Sequence, residues 1–226
     1  MICISRRSVV IKPESVYLLI SLIALIFAGR FVTKIIKSQL IAVYLTPIVY
    51  LALFVASILM FRSEIINSIR SFDAKKLGLL VIIGYITFYA EVFAAIIVSI
   101  LGVENINQNL IDADINSDNS GLFFLTVFVI VIIGPIVEEI AFRFCIASIF
   151  PSHTIIAGII SVLIFSSMHV LDSVIFDGDF SQLIAMLPYA ALGTGLYVLY
   201  SKTGNILYPL ILHSAINLIG LTGRLR

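Results

Sequence analysis

Apolar residues run along most of this chain in blocks of about 20, cut by short polar connections, without the alternation of a half-buried strand or the one-sided stripe of a soluble helix. A hydrocarbon core takes about 20 residues of helix to cross. The blocks therefore predict spans over residues 14–36, 39–61, 77–101, 121–149, 153–171, 181–200 and 205–222. The fold class is all-α, a polytopic transmembrane helix bundle of about seven spans. Gly134-Pro135 lies in the long fourth span, where a proline removes one backbone bond and predicts a kink just before residue 138. Tyr208-Pro209 predicts a bend at the start of the seventh, and Ser152, beside Pro151, reads as the cap of the fifth with His153 in the turn. Ala191 and Gly195, with Gly193 between them, give the sixth span a small-residue face suited to close packing.

Charge orients the bundle. The connection 62–76 carries Arg62, Arg70, Lys75 and Lys76, and the turn after the sixth span carries Lys202, whereas 102–120 and 171–180 hold acids and no Lys or Arg. Basic connections stay in the cytoplasm, so the first two face inward and the acidic ones outward. Arg6, Arg7 and Lys12 agree with a cytoplasmic N-terminus ahead of an uncleaved first span, in a multi-pass protein of the cell membrane. Arg30, Lys34 and Lys37 do not, because this arrangement puts the first link outside; a re-entrant or interfacial first helix would reconcile them. The residues are 61% hydrophobic and 12% charged, about half the charged fraction of a soluble domain, so 1–226 reads as a single integral membrane domain. A net charge of +1 leaves no footprint for nucleic acid. Cys3 and Cys145 lie in unlike contexts and read as reduced thiols.

Polar side chains inside the spans gather in three places: Glu138, Glu139 and Arg143; His169, four residues after Phe165; and His213 with Asn217. An ionised side chain near mid-bilayer costs about 2.5–3.5 kcal/mol on insertion scales, so three without partners would cost on the order of 10 kcal/mol. They must face protein or a wet cavity. Glu139 and Arg143, four apart with the acid first, are spaced to form a supporting ion pair, while Glu138 is turned about 100° from Glu139 toward another partner. Counted from the cytoplasmic turns at about 1.5 Å per residue, Glu138 lies ~20 Å along its helix, His169 ~26 Å, His213 ~15 Å and Asn217 ~21 Å. Spans 4, 5 and 7 thus carry one candidate site.

A buried carboxylate beside an imidazole can hold and deprotonate water, a task for Glu138 and His169. His213 and Asn217 supply donors for the oxyanion formed when that water attacks a peptide carbonyl. Ser166 and Ser167 precede His169 on its own helix by too little for attack assisted by that ring. Glu138, His169 and His213 are also a three-ligand zinc set with one position open to water, although no His-Glu-x-x-His helix is present.

At these residues the chain resembles the CPBP family, the CaaX-protease and bacteriocin-processing membrane proteins also called Abi proteins. The family's Glu-Glu-x-x-x-Arg, Phe-x-x-x-His and His-x-x-x-Asn-like motifs appear in order as Glu138-Glu139-Ile-Ala-Phe-Arg143, Phe165-Ser-Ser-Met-His169 and His213-Ser-Ala-Ile-Asn217. The likeness covers a catalytic core at about 121–220. It implies an intramembrane glutamic endopeptidase, with Glu138 and His169 activating water, His213 and Asn217 at the oxyanion, and no obligatory cofactor, zinc being the alternative. It further implies a membrane-presented peptide or protein tail as substrate, and a setting in bacteriocin immunity or peptide and pheromone maturation. The chain ends soon after the third motif, short of the eighth helix of larger members, so a small bacterial version is expected. The competing readings are a non-proteolytic immunity protein or scaffold that regulates a membrane partner such as a sensor kinase, and a proton-coupled transporter.

Overall fold

The computed structural model describes residues 13–36, 39–116 and 119–223, and every element among them is helical. In chain order these are α1 (Pro13–Ile36), α2 (Gln39–Met60), α3 (Arg62–Arg70), α4 (Leu77–Ile100), α5 (Ile106–Ile115), α6 (Ser120–Ile149), α7 (Thr154–Met168), α8 (Leu171–Asp177), α9 (Gln182–Thr203) and α10 (Leu207–Thr222). Arg6, Arg7, Lys12, Lys37 and Cys3 lie outside the described residues, as do the side chains of Arg30 and Lys34.

All seven apolar blocks are helical, but they differ in reach. Three helices, Ala74–Ile100, Ser120–Ile149 and Gln182–Thr203, are long and apolar enough to cross a membrane. The count reaches five if α2 with α3, bent by 73°, and α7 with α8, bent by 51°, are each one broken span. Three to five is the count among the residues whose side chains are described, which leave out parts of the first two blocks. The 16-residue α10 extends only about 24 Å, short of a 30 Å core. The helix of the fifth predicted span ends at Met168, so His169 sits at a helix end, at the bend between α7 and α8.

The two kinds of connection collect at opposite ends of the bundle. At the basic end the Lys76 ammonium donates to the Thr203 carbonyl (3.0 Å), the Asn205 amide to the Ser68 carbonyl (2.7 Å), and the Tyr208 hydroxyl to the Asp73 carbonyl (2.7 Å). Gly204, at φ +64°, takes the left-handed turn that ends α9. At the acidic end the Gln182 amide donates to the Glu104 carbonyl (2.7 Å), and three Asp179 contacts, from Ser181 Oγ, Ser181 N–H and Gln182, hold that exposed carboxyl below its usual range. Lys75, Lys76 and Lys202 therefore share one side, as the charge pattern requires.

Prolines act less severely than expected. Pro209 lies in the first turn of α10, where a missing N–H leaves no bond unmade, so the expected bend has no broken bond behind it. The cap position of α7 is His153 rather than Ser152, with no side-chain bond to the helix. Pro135 does not break α6, which absorbs it in a widened π turn at Val129–Ile133. There the Gly134 N–H bonds back to the Val129 carbonyl, five residues earlier, and Pro135 has no N–H to offer. The Ile130 carbonyl is left without a helical donor, and the Asn217 amide of α10 supplies one at 2.9 Å. In a second π turn, Ile140–Cys145, the Phe142 carbonyl accepts the Ser161 hydroxyl of α7 at 2.6 Å. These two turns bracket Glu138 and Glu139 and tie α6 to both helices that carry the histidines.

Close packing brings α9 alongside. A Cβ on Gly195 would overlap the Thr87 hydroxyl of α4, and one on Gly193 would stand 2.9 Å from the Phe165 ring. The small-residue face of the sixth block is thus what lets α9 approach both α4 and α7.

Candidate active site

Adjacent glutamates on α6 enter different surroundings. Glu139 and Arg143 are fully buried, their Oε2 and Nε 3.1 Å apart. This is a charge contact without hydrogen-bond alignment, and the guanidinium otherwise rests on the Phe165 ring, 4.6 Å from its centroid. Glu139 Oε1 faces His213 Nδ1 at 2.8 Å. An ionised carboxylate can only accept, so the imidazole donates from Nδ1 and its Nε2 is turned to the other glutamate, 3.8 Å from Glu138 Oε2. Glu138 Oε1 accepts the Tyr50 hydroxyl of α2 at 3.0 Å.

His169 is oriented by the end of its own helix. Because α7 stops at Met168, the Phe165 carbonyl has no later N–H in helical register, and His169 Nδ1 bonds it at 2.8 Å. A carbonyl accepts only, so this ring also donates from Nδ1 and keeps Nε2 available. Tyr189 of α9 stacks on it, centroids 4.2 Å apart and 20° from parallel. The Tyr189 hydroxyl is held by Asn105, Asn107 and Gln108 at 2.9–3.1 Å, tying His169 indirectly to the acidic connection. Phe165 lies between the imidazoles, 4.9 Å from His169 and 5.7 Å from His213.

Glu138, His169, His213 and Asn217 all line one cavity of about 570 Å³, within the size range of small-molecule sites. Glu139 and Arg143 are sealed behind it. A smaller hollow of about 220 Å³ at the basic end holds none of these groups. Ser166 and Ser167 turn their hydroxyls to carbonyls of their own helix, Val162 and Ile164, at 2.8 and 2.9 Å; Cys145 is a buried thiol. Among the described residues no three His, Cys, Asp or Glu side chains are gathered as a metal set. The sequence pattern misses three members of the cavity wall. Glu91 carries the signal that marks Glu138, an acid inside an apolar block. Tyr50 and Tyr189 carry none, because tyrosine is ordinary in a membrane helix.

The family model described as type II CAAX prenyl endopeptidase, Rce1-like, matches residues 120–219. Residues 120–219 are an Rce1-like segment of the CAAX protease family. The segment takes in α6 to α9 and most of α10, and with them Glu138, Glu139, Arg143, His169, His213 and Asn217, while Tyr50 and Glu91 of the cavity wall precede it. That family is one of CAAX-type intramembrane proteases, and the match covers 100 of the 226 residues. No curated protein and no solved structure matches the chain.

Proposed function

We propose that the protein is an intramembrane endopeptidase in which Glu138 activates water against a peptide bond of a membrane-presented peptide or protein tail. The observation that carries this reading is the asymmetry of the two glutamates: Glu139 is neutralised in a sealed ion pair, while Glu138 shares a cavity with both imidazoles. A water beside Glu138 and His169 gives its proton to the carboxylate as its oxygen bonds the carbonyl carbon. The C–N bond then breaks, and the proton passes to the leaving amine, with His169 Nε2 as the second proton carrier. The carbonyl oxygen, negative in between, needs donors. Asn217 has one amide N–H beyond the one given to Ile130. His213 donates from Nε2 only when doubly protonated, a state balanced by Glu138 and Glu139 on either side. Tyr50 aims Glu138.

Zinc is a second reading, favoured by one feature. Metal-bound histidines commonly give their other N–H to a carboxylate or carbonyl, and His213 and His169 do so to Glu139 and Phe165. A metal there would polarise the carbonyl and lower the pKa of bound water. Activity that survives chelation supports the metal-free reading; loss on chelation with recovery only on zinc would replace it. The setting, immunity or peptide maturation, is tested by comparing peptides from membranes expressing wild type and Glu138→Ala. Products that vanish with the carboxylate identify a substrate, whereas a phenotype untouched by this change would favour the scaffold.

A further inference from the structure

The cavity occupies the half of the bundle nearest the acidic connections. Its wall runs from Glu138 and His213 along the later turns of α4 to Val103, Asn105, Asn107 and Gln108. Two carboxylates line it, Glu91 and Glu138, beside the imidazoles of His169 and His213, which add positive charge only when doubly protonated, and no described lysine or arginine lines it. The surrounding sequence reinforces this sign, since between Lys76 and Lys202 the only basic residue of the Lys or Arg type is Arg143, which is fully buried behind Glu139. The connections at that end carry Glu104, Asp112, Asp114, Asp172, Asp177 and Asp179, six acids against the Arg30, Lys34 and Lys37 of the first link that the charge pattern places on the same side. Low-dielectric walls of one sign focus the field within a cleft. A C-terminal carboxylate or an acidic side chain entering here would meet like charge, whereas an ammonium or guanidinium would be attracted. Most of the remaining wall is apolar, with Val92, Leu192 and Ile216, and it ends at Asn105, Asn107 and Gln108, whose amide atoms beyond those bonded to Tyr189 can bond an extended backbone.

We propose that this site takes an apolar peptide segment flanked by lysine or arginine, entering from the acidic end. Only the cleavage of a bound segment rests on the endopeptidase reading. The test is binding itself, using the full chain in neutral-lipid nanodiscs, with His169→Ala to prevent turnover while both carboxylates remain. Three fluorescent peptides share one apolar core and carry flanking Lys, Gln or Glu, with empty nanodiscs subtracted. The lysine peptide should bind at least about tenfold more tightly than the glutamate peptide, with glutamine between, and the gap should shrink at high salt. Glu91→Gln should narrow it further. Equal or reversed affinities, no binding by any peptide, or a gap indifferent to Glu91→Gln would overturn the proposal, whichever peptides wild type cleaves. Ordered binding in His169→Ala with no cleavage by wild type would instead leave it standing and remove the protease.

Discussion

Glu138 and Glu139 are neighbours in sequence and occupy opposite surroundings. The turn of about 100° between them on a helix sends Glu139 into a packed interior with Arg143, Phe165 and His213, and Glu138 to the wall of a cavity. A buried ion pair is held by desolvated geometry and is costly to break. A carboxylate beside a cavity keeps a side exposed to whatever enters. The same residue type therefore has a structural role on one side of α6 and is available for chemistry on the other, and His213 touches both.

This contrast is broken most directly by removing the cavity side. Glu138→Ala and His169→Ala should each lower cleavage by about a thousandfold or more while leaving unfolding in bicelles close to wild type. Full activity in either variant, measured on purified protein, would reject the water-activation scheme. The sealed side should behave in the reverse way. Arg143→Ala leaves Glu139 charged and buried, which costs about 3–5 kcal/mol, read as a lower unfolding midpoint. Pairing it with Glu139→Gln should return part of that loss. An Arg143→Ala protein as stable as wild type would show that the pair contributes nothing to folding.

Tyr50→Phe sharpens the comparison from the cavity side alone. It deletes the hydroxyl on Glu138 Oε1 and nothing else of the ring's packing, and a hydrogen bond to a charged group is worth about 1.5–3 kcal/mol. The expected result is a fall of about ten- to a hundredfold in kcat with little change in KM. A change confined to KM would make Tyr50 a substrate contact instead.

How much of this is legible in the chain depends on what each residue costs where it sits. Charges in hydrocarbon are so unfavourable that Glu138, Glu139 and Arg143 are conspicuous, and i, i+4 spacing is enough to expect the Glu139–Arg143 contact that α6 makes. The sidedness of Lys75, Lys76 and Lys202 is readable for the same reason. Glu91 is equally visible but stands apart from any motif. Tyr50 and Tyr189 are invisible, since only three-dimensional packing tells a tyrosine that aims a carboxylate from one that fills space. The early end of α7 is hidden too, because the apolar block continues past Met168 and hydropathy does not register where His169 takes its own helix's carbonyl.

The smallest effect concerns Asn217, where the two sides of α6 give rival accounts of one amide. If its role is to satisfy the Ile130 carbonyl left without a donor by Pro135, then Asn217→Ala should cost about 1–3 kcal/mol of stability. In a Pro135→Ala background the new N–H can reach that carbonyl in the widened register, and the penalty should shrink by about 1 kcal/mol or more in a double-mutant cycle. If its role is instead to donate to the oxyanion, Pro135→Ala should leave the kcat deficit of Asn217→Ala intact. The cycle separates these roles because stability and kcat are read on the same four proteins. Coupling in stability with an uncoupled loss in kcat would show that one amide serves both, one N–H turned to the helix and the other to the cavity.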